Sequence, residues 1–565
     1  MNTINFKNIR STPKSKNNCF ESLSVQLFKT HCNAPSKSSF YSIRGDGGDG
    51  GVEAYYKTPA GDILGVQAKY FFKLETKNFN QIKHSLSTAL KNHQSLTQYW
   101  IYIPFDLTGR VAAGKRGKSE VEKFEEWKNK VESEYPKLTI SLISAELIRQ
   151  QIIQIDSSGG FSTYWFNGDV LTDNKMQKCV EAAEAFAGPR YYSDIDITTE
   201  AHDSLDAFGE IYDFKKWTSN TWKPSVIKFR ELAEHANKIF SLSSSEEKDN
   251  ALLTLRSLLE KISLKKSILE KKLFDSIPTA INSLKPYCEN AINLQETEFI
   301  KKNGENRDTP SFRQYHAEYM CNFPAADLDH SRELYNQLLS IQELIKSPLI
   351  QAFHAHSFLM TGPSGAGKTH SIVSFAKRRL QKGGHVLVLF GEDFDNVDPW
   401  DVIRNKLGFG SNIGREKLLD CLQASAQDNN KSFIIIIDAL NESIKARKWK
   451  NKLPEIIEQC KEHDKVKIAV STRDIYLRLV VDERFPGYAY NHIGFTRNFN
   501  DVIAAFSKRY EIDSEITPLF SEELRNPLLL HLIFKISKAE SASFIDVSAD
   551  GFTKIFERFL KQVDN

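Results

Sequence analysis

Residues 362–369 read "GPSGAGKT", and no other stretch limits the possible folds as much. An apolar run, "SFLM", precedes it, and a helix-patterned run, "HSIVSFAKRRL", follows. A strand that turns through glycines straight into a helix aims backbone N–H groups and the helix's positive end at one point, where phosphate oxygens fit. Gly362, Gly365 and Gly367 let the backbone curl, Lys368 reaches the β and γ oxygens of a nucleoside triphosphate, and the Thr369 hydroxyl takes a Mg²⁺ position. Such a loop needs a parallel sheet behind it. From residue 346 the apolar runs "HSFLMTG", "HVLVLFG", "SFIIIIDA" and "VKIAVST" alternate with helical segments, the pattern of a doubly wound parallel sheet.

The run "FIIIIDALNES" (433–443) supplies the complement to that loop. A buried parallel strand ending in Asp438 delivers a carboxylate to the sheet edge where Mg²⁺ is expected. Glu442 lies one turn farther on: either it polarises the attacking water, with Asn441 helping to hold it, or it is a solvated helix residue. "VKIAVSTRD" ends in Ser471, Thr472 and Arg473, and Arg473 is either a sensor of the γ-phosphate or a surface arginine.

At 565 residues the chain exceeds one core, and about 100–200 residues per domain suggests several units. The N-terminus "MNTINFKNIRSTPKSKNN" lacks the apolar centre of a signal peptide, and no apolar run approaches a bilayer span, as expected of a cytosolic protein without a membrane partner. The seven cysteines form no CxxC pair and no Cys/His cluster, so they read as core thiols. Net charge is +3, yet residues 1–120 hold 17 Lys/Arg against 8 Asp/Glu. That imbalance suits either a polyanion partner for the first unit or a solvated face.

Within this basic unit, "CFESLSVQLFKTHC" (19–32) carries one helical stripe, "FNQIKHSLSTALKNH" is helical and "YWIYIPF" is a strand. Between them "GDGGDGGVEAYY", "TPAGD" and "GVQAKYF" form a candidate hairpin. Period two puts Gln67 and Lys69 on the same face of their strand. With the turn centred near Ala60 and Gly61, residues 52 and 54 oppose 69 and 67, which brings Asp49 toward Lys69. Parity then turns Glu53 away from Gln67 unless the preceding glycines carry a bulge. A carboxylate, an amide oxygen and an ammonium in one volume suit either a metal-dependent centre or a surface hairpin with a paired lysine.

The order of "GPSGAGKT", "IIIIDALNE", "VSTRD" and "LRNPLLLHLI" (524–533) resembles the STAND NTPases, and "AFAGPRYYSDIDI" (185–197) resembles a stretch of their bacterial antiviral Avs type. The likeness covers roughly residues 180–540. It implies ATP and Mg²⁺ as cofactors, Pro527 packed near the adenine, a nucleotide role for Arg190, and a switch that assembles into a homo-oligomer, a tetramer when active, on sensing a phage protein trigger. An acid often stands where this chain has Asn441, which leaves Glu442 as the base and implies slow hydrolysis. Separately, "GDGGDGGVEA…GVQAKYF" resembles the Mrr-like branch of the PD-(D/E)xK nucleases, in which glutamine replaces the second acid. That resemblance implies that Asp49 and Gln67 bind Mg²⁺, that Lys69 orients the water or stabilises the developing charge, and that Glu21 is an added helical ligand. "IPFDLTGRVAAGKRGK" (103–118) is also similar to loops of nucleases fused to defence NTPases, with Lys115, Arg116 and Lys118 placed to clamp double-stranded DNA without reading bases.

The expected fold is a multidomain α/β protein: a nuclease-like domain at 1–170, a helical connector at 171–345, the P-loop NTPase core at 346–480, and a helical or winged-helix part at 481–565. The expected activity is an antiphage, ATP-switched DNA endonuclease. The rival readings are a modification-dependent restriction enzyme driven by an NTPase motor, and a STAND regulator with a non-catalytic DNA-binding domain. STAND proteins carry a C-terminal sensor array, so either the sequence is a portion of a larger protein or a separate partner senses the trigger.

Overall fold

Helix α1 (Lys16–His31) begins where the Ser15 side chain accepts the Asn18 N–H, and it buries Cys19, Phe20, Leu23, Leu27 and Phe28 on one stripe. The computed structural model to which it belongs describes residues 4–11, 15–43, 50–109, 117–167, 170–195, 197–239, 246–264, 271–303, 326–394, 397–497, 499–512, 522–539 and 557. The stripe packs on a five-stranded mixed sheet of order β1-β2-β3-β4-β5: Ser39–Ser42, Ala54–Lys57, Ile63–Ala68, Leu96–Tyr102 and Thr139–Ile143. β1, β2 and β3 pair antiparallel, whereas β3–β4 and β4–β5 are parallel. Helices α2 (Thr76–Asn92) and α3 (Glu120–Glu134) make the parallel crossovers, and α3 opens with a capping box between Ser119 and Glu122. Their apolar faces join Val52, Tyr99 and Ile101 in a core beside the sheet.

After β5 come α4 (Ala145–Ile155), the short α5 (Gly160–Phe166) and α6 (Asp173–Ala187). The second sheet has the order β10-β6-β9-β8-β7, with β6 Ser357–Thr361, β7 Val386–Phe390, β8 Phe433–Asp438, β9 Val466–Ser471 and β10 Tyr488–Asn491. β7, β8 and β9 are parallel, and every residue of β6 to β9 is buried, as continuous apolar runs predict. β10, with alternating half-buried and exposed residues, is the edge strand that helical expectations for the chain beyond 480 missed.

The chain divides into two compact units, 1–197 with 359–565, and 198–358. The second is built of helices, among them Lys223–Ile239, Glu246–Leu264, Lys271–Asn303 and Ala326–Ile345, and buries Trp222, Leu255, Phe274, Ile277 and Ile341. Cys19, Cys32, Cys288, Cys421 and Cys460 are buried free thiols, as expected of core cysteines. Among the described residues no helix is long and apolar enough to cross a membrane.

Candidate functional site

β6 leads directly into the glycine loop. Gly362 has φ +149°, and a Cβ there would lie 2.1 Å from the His492 carbonyl oxygen, so only glycine fits where the loop leaves the sheet. The helix Lys368–Gln381 starts at Lys368, whose Nζ donates to the carbonyls of Gly362 and Pro363, both at 2.8 Å. The ammonium thus spans the hollow of its own loop. Burial lowers its pKa, with Asp438 opposing.

Thr369 Oγ1 donates to Asp438 Oδ2 at 2.6 Å, and Ser471 Oγ donates to Asp438 Oδ1. Asp438 is only 1% exposed, and burial raises its pKa against the pull of both hydroxyls. A hydroxyl and a buried carboxylate side by side at the carboxyl edge of a parallel sheet fit a hard divalent cation such as Mg²⁺. Glu442 sits between two guanidiniums, Arg473 Nη2 at 3.1 Å and Arg190 Nη1 at 3.3 Å. Arg190 stands in the 3-10 turn after α6 and lies over the rings of Phe186 and Phe390. Asn441 Oδ1 accepts the Arg473 N–H at 3.1 Å and the Thr472 hydroxyl at 3.2 Å. Its work is to tie the loops after β8 and β9 together.

Pro527 opens the helix Pro527–Ala539, where its missing N–H costs nothing. It packs against Gly367 of the loop, while Asn526 Nδ2 donates to Ser364 O at 3.1 Å and Leu528 N to Gly365 O at 3.3 Å. So Gly362, Gly365, Gly367, Lys368, Thr369, Asp438, Glu442, Arg473, Arg190 and Pro527 are brought to one locality. Sequence reasoning missed Asn526 and His492, and it gave Ser471 no role. Ser471 alone left a signal, a hydroxyl directly after an apolar strand.

In the N-terminal domain Asp49, like Lys115 and Arg116, lies outside the described residues. Gln67, in β3, is buried, and Lys69 follows the strand with its N–H bonded to Tyr102 O at 3.0 Å. Glu21 is half-buried on α1, the helix packed on β3. The hairpin register corrects one expectation. The turn closes with Thr58 N to Asp62 O and Gly61 N to Thr58 O, so Ala54 pairs with Val66 and Glu53 opposes Gln67. The Gln67 amide in fact donates to Glu53 Oε1. A turn centred on residue 60, half a residue earlier than expected, exchanges the faces of the whole first strand. Among the described residues no three His, Cys, Asp or Glu side chains cluster as a metal site. Glu53 and Gln67 meet through the amide N–H and a carboxylate oxygen. Lys118 pairs with Glu126 on the surface.

No family model and no curated protein matches the chain. A solved structure, C. elegans PCH-2, aligns at 15% identity over 37% of this chain and 62% of its own length, with a TM-score of 0.20. The chain therefore covers less than two thirds of that protein, at a likeness too low to bear on fold or function.

Proposed function

We propose that the protein is an ATP-binding switch joined to a Mg²⁺-dependent DNA endonuclease, acting in defence against phage. The observation that carries the nucleotide half is the meeting of Thr369 and buried Asp438 beside the glycine loop and Lys368. In this reading the loop N–H groups and Lys368 hold the β and γ phosphates once the ammonium leaves the carbonyls of Gly362 and Pro363. Mg²⁺, when bound at Thr369 and Asp438, would neutralise phosphate charge. Glu442 orients the attacking water after exchanging at least one of its arginines, and Arg190 and Arg473 then face the γ-phosphate. A base that must first leave an ion pair suits slow turnover and a lasting ATP-bound state.

For the nuclease half, Glu53 and Gln67, once the amide turns its oxygen inward, would hold Mg²⁺ with Asp49 and Glu21 as further ligands, and Lys69 would stabilise charge on the scissile phosphate. The basic unit contacts double-stranded DNA through its backbone, and a phage protein trigger favours assembly of ATP-bound copies. The test uses the full chain, with calorimetric titration of Mg·ATP beside plasmid cleavage in Mg²⁺. Wild type binds ATP, and Lys368→Ala does not. Absence of ATP binding by wild type overturns the switch. Equal plasmid cleavage by wild type and Lys69→Ala overturns the nuclease.

A further inference from the structure

The contact between the N-terminal domain and the second sheet serves no step of the function proposed above. The helix Arg415–Asp428, which flanks β8 and β9, turns Lys417, Asp420, Cys421, Ala424 and Asp428 to one side, at spacings of three and four. Onto that side comes α5 of the N-terminal domain. A Cβ on Gly160 would lie 2.3 Å from Asp420 Cβ and 2.5 Å from Lys417 O, so here backbone rests on helix with no room for a side chain. Cys421 Sγ lies 3.1 Å from Gly160 O, and burial pushes this thiol up to about 12, which keeps it protonated as a donor.

Polar contacts lock the same seat. Tyr164, 1% exposed, donates its hydroxyl to Asp428 Oδ2 at 2.7 Å. The ring is backed by the Arg10 guanidinium 3.9 Å from its centre, and Arg10 donates to Tyr164 O at 3.1 Å. Ser158 Oγ donates to Asp420, whose other oxygen is held by His463 Nε2 at 3.0 Å. Around these contacts Phe20, Leu23, Phe161 and Trp165 join Leu418, Leu419 and Leu422 in one hydrophobic cluster. Domains joined by small polar interfaces move freely, whereas a shared apolar core makes them one cooperative body.

We infer that the N-terminal domain is a fixed wing of the phosphate-loop sheet, seated on the helix Arg415–Asp428 through Gly160 and Tyr164, so that ligand at the glycine loop stabilises both. The N-terminal centre is then carried and spaced by the NTPase, not released from it. Because anything that binds only the folded form stabilises all that unfolds with it, ATP at 100 times its Kd should suppress global opening about 100-fold in both domains.

The seat itself does not depend on the nucleotide reading, and the experiment keeps the two apart. Hydrogen exchange of the full chain is followed through a urea series at β3–β4 and at β8–β9. In wild type both pairs lose protection at the same urea concentration. In Gly160→Leu, or in the milder Tyr164→Phe if the first does not fold, β3–β4 opens at lower urea than β8–β9. Separate transitions in wild type, or coincident ones in the folded variants, overturn the seat. Mg·ATP then shifts both pairs together in wild type. A shift of β8–β9 alone overturns the coupling, whereas coincident transitions that ATP leaves unmoved uphold the seat and count against nucleotide binding.

Discussion

Asp438→Asn should make the unliganded protein more stable while weakening the proposed hold on Mg·ATP. Asp438 ends β8 almost fully buried, and its two hydrogen bonds come from the neutral hydroxyls of Thr369 and Ser471. Lys368 is turned to the carbonyls of its own loop, and Arg190 to Glu442. Burial raises the Asp438 pKa, so the ionised form is the disfavoured one in the fold. The sign follows: the favourable contribution of the neutral acid is complete below the ordinary carboxylate range and is lost as pH rises through the raised value. Above that raised value a buried charge remains, and its effective cost is several kcal/mol before compensation. Asparagine has the same shape; its Oδ1 accepts one hydroxyl, and its Nδ2 can donate to the other's oxygen. Replacing charge-assisted bonds by neutral ones gives back about 1 kcal/mol per bond. The balance is a gain of about 1–2 kcal/mol, or roughly 1–2 °C in Tm for the cooperative unit formed by 1–197 with 359–565. Thermal unfolding across a pH series, with and without Mg·ATP, measures it. The variant should melt higher than unliganded wild type on the alkaline side of the Asp438 titration, lose that advantage as pH falls through it, and gain less from Mg·ATP than wild type. A lower melting point throughout the series, with an undiminished Mg·ATP response, would refute the argument.

Glu442→Gln keeps the shape of the residue between Arg190 and Arg473 but removes its charge; ATP turnover should fall about 10²–10⁴-fold with binding retained, read by phosphate release and calorimetry. Glu53→Ala should abolish the proposed Mg²⁺-dependent plasmid cleavage with no change in ATP affinity, because Glu53 bonds Gln67 just before β2, whereas the glycine loop follows β6 of the other sheet. The His463–Asp420 pair should stabilise the protein most between the two titrations. Burial opposes both charged forms, yet the mutual hydrogen bond leaves His463 raised and Asp420 lowered. The His463 contribution is complete below the ordinary histidine value and lost as pH rises through its raised value, while that of Asp420 is lost as pH falls through its lowered one. His463→Gln should therefore lower the urea midpoint near pH 6 and converge on wild type at alkaline pH.

What the sequence made legible follows from the range of the interactions involved. The glycine loop was readable because strand, turn and helix are consecutive, and Asp438 because the apolar run before it marks a buried strand whose end is a fixed place on the sheet. Arg190 is separated from Glu442 by more than 250 residues, and no periodicity announces such a pair; only the likeness of "AFAGPRYYSDIDI" to a known family pointed there. Asn526 at the glycine loop and Gly160 on the helix Arg415–Asp428 lie 162 and 261 residues from what they touch, and each reads locally as an ordinary turn residue.

Glu53 is the instructive failure, because both of its strands and the turn between them were read correctly. Strand faces alternate every residue, so the facing partner depends on the turn's centre to within half a residue, a finer scale than "TPAGD" specifies. Two hydrogen bonds decide it, Thr58 N to Asp62 O and Gly61 N to Thr58 O, and both are backbone contacts that leave no mark on composition. Once the turn is centred on residue 60, the acid opposite Gln67 is Glu53, with no bulge required. On a hairpin, then, motif spacing can point to a pair of strands, while backbone register decides which residue faces Gln67.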